Sequence, residues 1–336
     1  RKQGRRIYIP YMGDGAYAIK AAFNSAGIDA EVMFSDFETL ELGRKHTLGK
    51  ECYPYIITTG DILKTLKYND PDKCAFLMPL THGPCRFGQY NKMQKILLAE
   101  LGYNVPVIAP GAIESAQFYK EYDMQGAKGA KLYLRALLGV ITIDYLNKFL
   151  RKVRPYEIHK GLSDKIYDDL LKKVLVCLEN PANQSIIDSL TSILQLAVME
   201  FEDVQVTDEI KPLIGVVGEI YVRNHPFSNN EIVKKIEELG GEIELPDFSE
   251  WAYHTNATGK LDLTIKQKDL IYKIFNSLQF NGHYLLPEEK RILFGDIKDK
   301  DSYIDFEFNG SSGFKDIARL LPNFSRCIKF YIANRI

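Results

Sequence analysis

Apolar and polar positions near the amino terminus follow the order of a strand, a loop, a helix and a second strand. Residues 6–33 read RIYIPYMGDGAYAIKAAFNSAGIDAEVM. The short apolar run at 7–9 predicts a strand, and the stretch after the glycine-containing loop predicts a helix that ends at Gly27. A second apolar run at 30–33 predicts the next strand. This order is typical of a βαβ unit in a parallel sheet.

A similar order returns at residues 213–245, LIGVVGEIYVRNHPFSNNEIVKKIEELGGEIEL. Here the pattern predicts a strand at 213–217, a helix that ends at Gly240 and a further strand in GEIEL. Ser228 and Glu231 have the spacing of a capping box, so we expect them to start that helix. The recurrence predicts an α/β fold with two doubly wound parallel-sheet domains.

The middle of the chain has a helical pattern. Apolar residues recur at three-to-four spacing in KLYLRALLGVITIDYLNKFLRKV and in YDDLLKKVLVCLEN. We therefore expect a first α/β domain at 1–124, a helical linking region at 125–205 and a second α/β domain at 206–336. The last part of that second domain is irregular, with one helix expected near 267–275.

Composition limits the classes of function that are open to this chain. Its 336 residues, 46% hydrophobic and 26% charged, suit a globular protein of two domains. The net charge of −1 gives no electrostatic footprint for nucleic acid or anionic lipid, and the longest apolar run, at 137–143, is too short for a membrane span. No signal peptide is recognisable, which predicts a cytoplasmic location. The chain starts without methionine, as a fragment of a longer polypeptide would.

Five cysteines, at positions 52, 74, 85, 177 and 327, are scattered along the chain without any C-x-x-C pair. This spacing disfavours structural disulfides, zinc ribbons and thioredoxin-like sites. Cys74 and Cys177 lie in apolar segments, so we expect them to pack in the core as small hydrophobic residues.

Cys52 and Cys85, both in the first predicted domain, each stand beside a predicted helix start. Cys85 follows the strand predicted at 74–78, at the carboxyl end where open α/β sheets bind ligands. Pro54 is typical of the first turn of a helix, so Cys52 is expected at the amino terminus of another helix. The positive end of a helix dipole and an adjacent basic residue both favour the thiolate, which is the form that ligates metals. Ordinary packing of a free thiol is the alternative for both residues.

Several long motifs resemble one protein family. They are YIPYMGDGAYAIKAAF at 8–23, GKECYPYIITTGD at 49–61, GPCRFGQY at 83–90, RPYE at 154–157 and the stretch from PLIGVVGEIYVRNHPFS to FSEW at 212–251. Together they resemble the components of 2-hydroxyacyl-CoA dehydratases and related ATP-dependent iron–sulfur reductases, in the branch associated with activases of CoA-substrate enzymes. The resemblance covers nearly the whole chain.

This resemblance implies flavodoxin-like domains and a [4Fe–4S] cluster, or a larger double-cubane cluster, on cysteines from separate loops. It also implies an activator ATPase that has its own iron–sulfur cluster and delivers a low-potential electron, an acyl-CoA substrate, and a dimer or hetero-pair. By motif, Cys52 and Cys85 match the first two cluster ligands. The family's third ligand stands in a PF-x-C-M-P-G context, whereas Cys327 follows PNFSR at about the expected place.

Five other residues are candidates for the site. Glu51, in GKEC, and His82, in THGPC, are candidates for proton transfer, the alternatives being a solvated carboxylate at a helix start and a loop histidine in water. Glu219 and Arg223, after the strand of the second predicted domain, are candidates for substrate binding because an arginine suits anionic groups. An ion pair that holds the loop is the alternative. Ser249, in the FSEW loop, is the third candidate for substrate binding.

Two hypotheses from different classes follow. The first is an iron–sulfur component of a dehydratase or reductase, with its cluster on Cys52, Cys85 and Cys327. The second is a non-catalytic docking or regulatory module of a larger activase-type protein whose cluster site is incomplete. No G-x-x-x-x-G-K-[ST] motif occurs, so under either hypothesis the chain carries no P-loop ATPase of its own.

Overall fold

The structure of this chain is a computed structural model. It describes residues 4–80, 85–109, 120, 122, 124, 126–182 and 185–249. His82, Cys327 and the helix expected near 267–275 lie outside the described residues.

The chain divides into two compact units, each assembled from several segments. The first unit comprises Arg1–Ile143, Leu178–Ala182 and Lys211–Leu245. The second unit comprises Asp144–Cys177, Asn183–Ile210 and Pro246–Ile336. Residues 211–245 therefore group with the amino-terminal residues, while the domain boundaries expected after 124 and after 205 stay predictions.

A four-stranded parallel sheet forms the centre of the first unit. Its strands lie in the order β2-β1-β3-β4, so the chain first moves to one side of β1 and then crosses to the other. The strands are β1 (Arg6–Pro10), β2 (Ala30–Met33), β3 (Cys74–Leu77) and β4 (Val107–Ile108). The helices along this part of the chain are α1 (Gly15–Ser25), α2 (Phe37–Lys45), α3 (Tyr53–Tyr68) and α4 (Tyr90–Glu100). The α/β class and the parallel pairing predicted from the sequence are confirmed.

Both faces of this sheet are buried, because helices cover each of them. Ile7 and Ile9 point to the face that packs against Phe23 of α1. Tyr8 and Phe76 point to the opposite face, which packs against the apolar side of α3 and α4. Cys74 belongs to this second core and is 1% exposed, so its predicted role as a core residue is confirmed. Cys177, in contrast, is only partly buried.

Two glycines allow α2 and α3 to cross with their backbones in contact. A Cβ on Gly43 would overlap the carbonyl oxygen of Ile56, and a Cβ on Gly60 would overlap that of Thr39. No larger residue fits either position without moving a helix. This crossing fixes the start of α3 relative to the carboxyl end of β2.

The chain middle is helical, as the sequence predicted. It supplies α5 (Gly126–Val153), α6 (Leu162–Glu179) and α7 (Ile186–Glu202). A two-stranded parallel sheet follows, in which β5 (Leu213–Gly215) pairs with β6 (Glu242–Glu244). The segment between these two strands contains α8 (Ile220–Asn224), α9 (Pro226–Asn229) and α10 (Ile232–Glu238). This small sheet and its three helices belong to the first unit.

The predicted capping box is wrong. Ser228 lies inside α9, whose amino terminus is capped by the His225 side chain. Glu231 precedes α10 with a φ of 57° and makes no side-chain capping hydrogen bond. The helix expected as one element is therefore divided in two by a left-handed turn at Asn230 and Glu231.

Within the described residues, no helix is both long enough and apolar enough to cross a membrane.

Candidate functional site

Cys52 occupies the position that the sequence predicted, at the amino terminus of α3. It is the N-cap residue, with extended backbone angles, and Pro54 stands within the first turn. The Cys52 carbonyl oxygen accepts hydrogen bonds from the backbone N–H groups of Tyr55 (2.9 Å) and Ile56 (3.2 Å). The backbone of Cys52 thus starts the helix while its thiol makes no capping hydrogen bond, which leaves the sulfur available for other chemistry.

Cys85 is the N-cap residue of a short 3₁₀ turn, Arg86–Gln89, that leads into α4. Its side chain is exposed and makes no capping hydrogen bond. The Arg86 guanidinium donates a 3.0 Å hydrogen bond to the carbonyl oxygen of Lys50. This bond ties the turn after Cys85 to the loop before Cys52.

Tyr90 is the first residue of α4 and lies close to the Cys52 thiol. Its ring packs edge-on against Tyr55 (5.2 Å between centroids) and Phe87 (5.3 Å). Burial, followed by the Cys52 thiol, raises the pKa of the Tyr90 hydroxyl, and Glu219 and Cys85 add smaller effects of the same sign. The Arg86–Lys50 hydrogen bond joins the segments that carry Cys52 and Cys85, and we call these two cysteines together with Tyr90 the thiol site.

Glu51 stabilises the loop before Cys52. Its carboxylate accepts hydrogen bonds from the backbone N–H groups of Leu48 (3.1 Å) and Lys50 (3.0 Å). Burial by itself would raise the pKa of Glu51, but the backbone N–H groups outweigh it and hold that pKa below the usual value. A carboxylate held in the ionised form suits shaping a loop better than donating a proton.

Glu219 and Arg223 stand at the two ends of the first turn of α8. The Glu219 carboxylate caps this helix by accepting from the backbone N–H of Val222 at 2.9 Å. One guanidinium nitrogen of Arg223 donates to the carbonyl oxygen of Gly218 at 3.4 Å. Its Nε is buried and has no hydrogen-bond partner among the described residues.

Ser249 belongs to the second unit, where its surroundings are a network of charges. Its backbone N–H donates to the Asp144 carboxylate at 2.8 Å. Burial, followed by the charge of Asp247, raises the pKa of Asp144 to about 7. Asp247 in turn lies 2.6 Å from the guanidinium of Arg151. These contacts anchor the residues before Ser249 to α5.

Sequence reasoning missed a buried carboxyl group in α3. Asp61 is 1% exposed, and its two oxygens accept hydrogen bonds from Ser35 Oγ (2.9 Å) and Thr39 Oγ1 (3.1 Å). Burial raises the pKa of Asp61 to about 7, although both hydroxyls and Lys64 oppose that rise. Asp61 therefore exchanges its proton near neutral pH.

Sequence reasoning also missed an aromatic pair in α8 and its C-cap. The ring of Tyr221 stacks on that of His225 with centroids 4.8 Å apart and an interplanar angle of 19°. His225 Nδ1 accepts from the backbone N–H of Ser228 (3.1 Å) and lies 2.7 Å from its hydroxyl. Burial lowers the pKa of His225 to about 4, so the ring is neutral at pH 7. The Y-x-x-x-H spacing was the available sequence signal.

The hydroxyl of Tyr221 feels the charge of the buried acid, Asp61. It is buried without a hydrogen-bond partner of good geometry among the described residues. Burial, followed by the negative charge of Asp61, raises its pKa well above the usual value, while Ser35 and Ser228 act in the opposite direction. Tyr221 thus connects the neighbourhood of Asp61 with that of His225.

The described residues contain no group of three or more histidine, cysteine, aspartate or glutamate side chains placed to hold a metal ion. Two of the expected ligands, Cys52 and Cys85, lie within the described residues, and the third, Cys327, lies outside them.

Comparisons of the chain with protein-family models, with curated proteins and with solved structures each found no match. The family resemblance seen in the cysteine motifs therefore stays a prediction.

Proposed function

We propose that this chain is the iron–sulfur-binding component of a 2-hydroxyacyl-CoA dehydratase-like or ATP-dependent low-potential reductase system. An activator ATPase with its own cluster would supply the electron, and an acyl-CoA is the class of substrate that the resemblance implies. The observation that carries this proposal is that Cys52 and Cys85 each stand at a helix start and that the Arg86–Lys50 hydrogen bond joins the two segments.

The position of the thiols in the fold supports this function. Cys85 lies beyond the carboxyl end of β3 and shortly before α4, and Cys52 directly precedes α3. Both helices pack on the same face of the sheet. The strand order β2-β1-β3-β4 equals that of the first four strands of a flavodoxin-like sheet. In such sheets ligands bind outside the carboxyl ends of the strands.

The chemistry of the donors fits an iron–sulfur cluster as far as the described residues reach. Thiolates are the usual ligands of such clusters, and neither thiol is used as a helix cap. Cys52, Cys85 and Cys327 are the residues that would hold the cluster. When bound, the cluster would supply one-electron transfer at low potential. The chain's own contribution would be to hold the two thiols together through the Arg86–Lys50 hydrogen bond and to shield one side of the site with Tyr90.

Anaerobic reconstitution with iron and sulfide tests the proposal. We expect the wild-type chain to become brown and to bind iron and sulfide in equal amounts. Cys52→Ser and Cys85→Ser should each lower the bound iron several-fold. Cys177→Ser removes a partly buried thiol outside the thiol site and serves as the matched control.

Wild-type protein that stays colourless, or that binds the same amount of iron after Cys52→Ser, would overturn the proposal. That result would favour the docking or regulatory module. Cys327→Ser protein, reconstituted in the same way, decides whether the third predicted ligand takes part, because a loss of iron as large as that in Cys52→Ser would support Cys327 as a ligand.

A further inference from the structure

Three aromatic rings lie together at the carboxyl ends of β1 and β2. Tyr11 directly follows β1, Phe34 directly follows β2, and Tyr17 stands in the first turn of α1. The centroid of the Tyr11 ring lies 6.0 Å from that of Tyr17 and 5.9 Å from that of Phe34, and the third distance is 6.4 Å. We call these three residues the aromatic triad. In open α/β sheets, ligands bind outside this edge of the sheet.

The aromatic triad is accessible to solvent through Phe34. This ring is 56% exposed, whereas Tyr11 and Tyr17 are partly buried. The three interplanar angles are 64°, 31° and 45°, so no two rings of the triad are stacked in parallel. Because the centroids are at most 6.4 Å apart, one atom above the triad can lie within about 6 Å of all three rings. Within that distance the negative face of an aromatic ring attracts a cation.

A carboxylate adjoins the aromatic triad. Asp14 is the N-cap residue of α1, a position at which an aspartate side chain usually accepts from a backbone N–H of the first turn. Here the carboxylate makes no such bond and accepts a hydrogen bond from the Tyr11 hydroxyl. Burial, followed by the charge of Asp14, raises the pKa of both the Tyr11 and the Tyr17 hydroxyl. The negative charge of Asp14 therefore reaches two of the three rings.

Two further neighbours do not reverse this charge. Glu31 of β2 pairs with Lys20 of α1 at 2.8 Å, so these two charges offset each other. The ring centroid of His225 lies 5.5 Å from that of Tyr11, and burial lowers the pKa of His225 to about 4, so it is neutral at pH 7. Electron-rich ring faces beside a carboxylate complement a ligand that is positively charged and apolar on its surface.

We propose that the aromatic triad and Asp14 bind an organic ammonium ion, a compact cation whose charge is covered by methyl or methylene groups. Cages of aromatic rings recognise quaternary ammonium groups through cation–π attraction, which is why this class of ligand suits the triad. Neither Cys52 nor Cys85 belongs to this site. Binding can therefore be measured on the metal-free chain, and its outcome is independent of the proposed iron–sulfur function.

Isothermal titration calorimetry of the full, metal-free chain with choline tests the proposal. Choline carries a quaternary ammonium group, and 3,3-dimethylbutan-1-ol has the same shape without the charge. The two probes thus separate cation–π attraction from simple apolar contact. We expect the wild-type chain to bind choline saturably and on the order of tenfold more tightly than the neutral alcohol.

Substitutions at Phe34 assign the binding to the aromatic triad. Phe34→Leu removes the most exposed ring and should weaken choline binding on the order of tenfold. Phe34→Trp keeps an aromatic face at this position and should retain binding. Phe37→Leu is the matched control, because Phe37 is also exposed (78%) but packs against Phe227, outside the triad. It should leave the affinity for choline unchanged.

Asp14→Asn tests the contribution of the carboxylate. It should weaken choline binding several-fold and leave binding of the neutral alcohol unchanged, because only the charge is removed. Asp72→Asn makes the same change on an exposed side chain before β3, at the opposite edge of the sheet, and should alter neither affinity. Equal affinities of the wild type for choline and the neutral alcohol would overturn the proposal. So would an affinity for choline that is the same in wild type and Phe34→Leu.

Discussion

Replacing Asp61 with asparagine tests whether the first unit holds a carboxyl group that stays protonated in the folded state. Burial raises the pKa of Asp61 to about 7 in the folded chain, whereas an unfolded aspartate titrates at about 3.9. Between these values the folded state keeps a proton that the unfolded state has lost. The contribution of Asp61 to stability is therefore fully present below pH 3.9 and decreases as the pH rises to 7. A difference of about three pKa units corresponds to about 4 kcal/mol.

The Asp61→Asn substitution would remove this titration while keeping the shape of the side chain. The amide oxygen of the new side chain can accept one hydroxyl hydrogen bond, as Asp61 does from Ser35 and Thr39. The amide nitrogen of asparagine carries two N–H groups, and one of them lacks an obvious acceptor in this buried place. We expect this unsatisfied donor to lower the free energy of unfolding by about 1 kcal/mol. We therefore expect Asp61→Asn to be about as stable as wild type near pH 5 and more stable by about 3 kcal/mol at pH 8.

Urea unfolding followed by circular dichroism at pH 5, 6, 7 and 8 measures this difference. Hydrogen exchange of the α3 peptide, Tyr53–Tyr68, assigns the change to the first unit. Asp72→Asn makes the same chemical change on a side chain that is 93% exposed, and we expect less than about 0.5 kcal/mol at every pH. A stability difference between Asp61→Asn and wild type that stays constant from pH 5 to pH 8 would show that Asp61 is already ionised in the folded chain.

Two further predictions concern His225 and the crossing of α2 with α3. His225 is buried among three aromatic rings, and burial lowers its pKa to about 4. Its contribution to stability is therefore present above pH 6.5 and is lost as the pH falls towards 4, by about 3 kcal/mol. In urea unfolding, the free energy of His225→Phe relative to wild type should therefore be about 3 kcal/mol more favourable at pH 4.5 than at pH 7, and a difference that does not change with pH would contradict the prediction. A Cβ at Gly60 would overlap the backbone of α2, so Gly60→Ala should lower the free energy of unfolding by about 3 kcal/mol. Gly27→Ala, with open space around its Cβ, should cost about 1 kcal/mol, and equal losses in the two variants would contradict the backbone contact.

The periodicity of the sequence predicted most elements of the fold because their apolar positions face a core. β1, β2 and β3 stand where the apolar runs place them, and Pro54 correctly marks the first turn of α3. The division between α9 and α10 was missed because the helix start was assigned from the capping-box spacing of Ser228 and Glu231 and not from Pro226. Pro226 is typical of a first helical position, which indicates a helix that starts directly after His225.

The site was only partly predictable, because its parts come from distant segments of the chain. The positions of Cys52 and Cys85 at helix starts were predicted because the local sequence defines both helix starts, while their role as ligands stays a prediction. Asp61 was not found because its partners, Ser35 and Thr39, come from another part of the chain, and only the crossing of α2 and α3 brings them together. Tyr221 was not found for the same reason: 160 positions separate it from Asp61, whose charge acts on its hydroxyl.

Asp61 and His225 act on the stability of the first unit with opposite signs. Between pH 4 and 6.5 His225 is protonated only in the unfolded state, so its contribution to stability grows as the pH rises, whereas Asp61 is protonated only in the folded state, so its contribution falls. The groups around Asp61 include Lys64 and Asp36, of opposite charge, whereas His225 meets aromatic rings and Ser228. The two effects, each of about 3 to 4 kcal/mol, oppose each other over this pH range. Each single substitution therefore uncovers the effect of the other group: Asp61→Asn makes the chain sensitive to acid, and His225→Phe makes it sensitive to neutral pH.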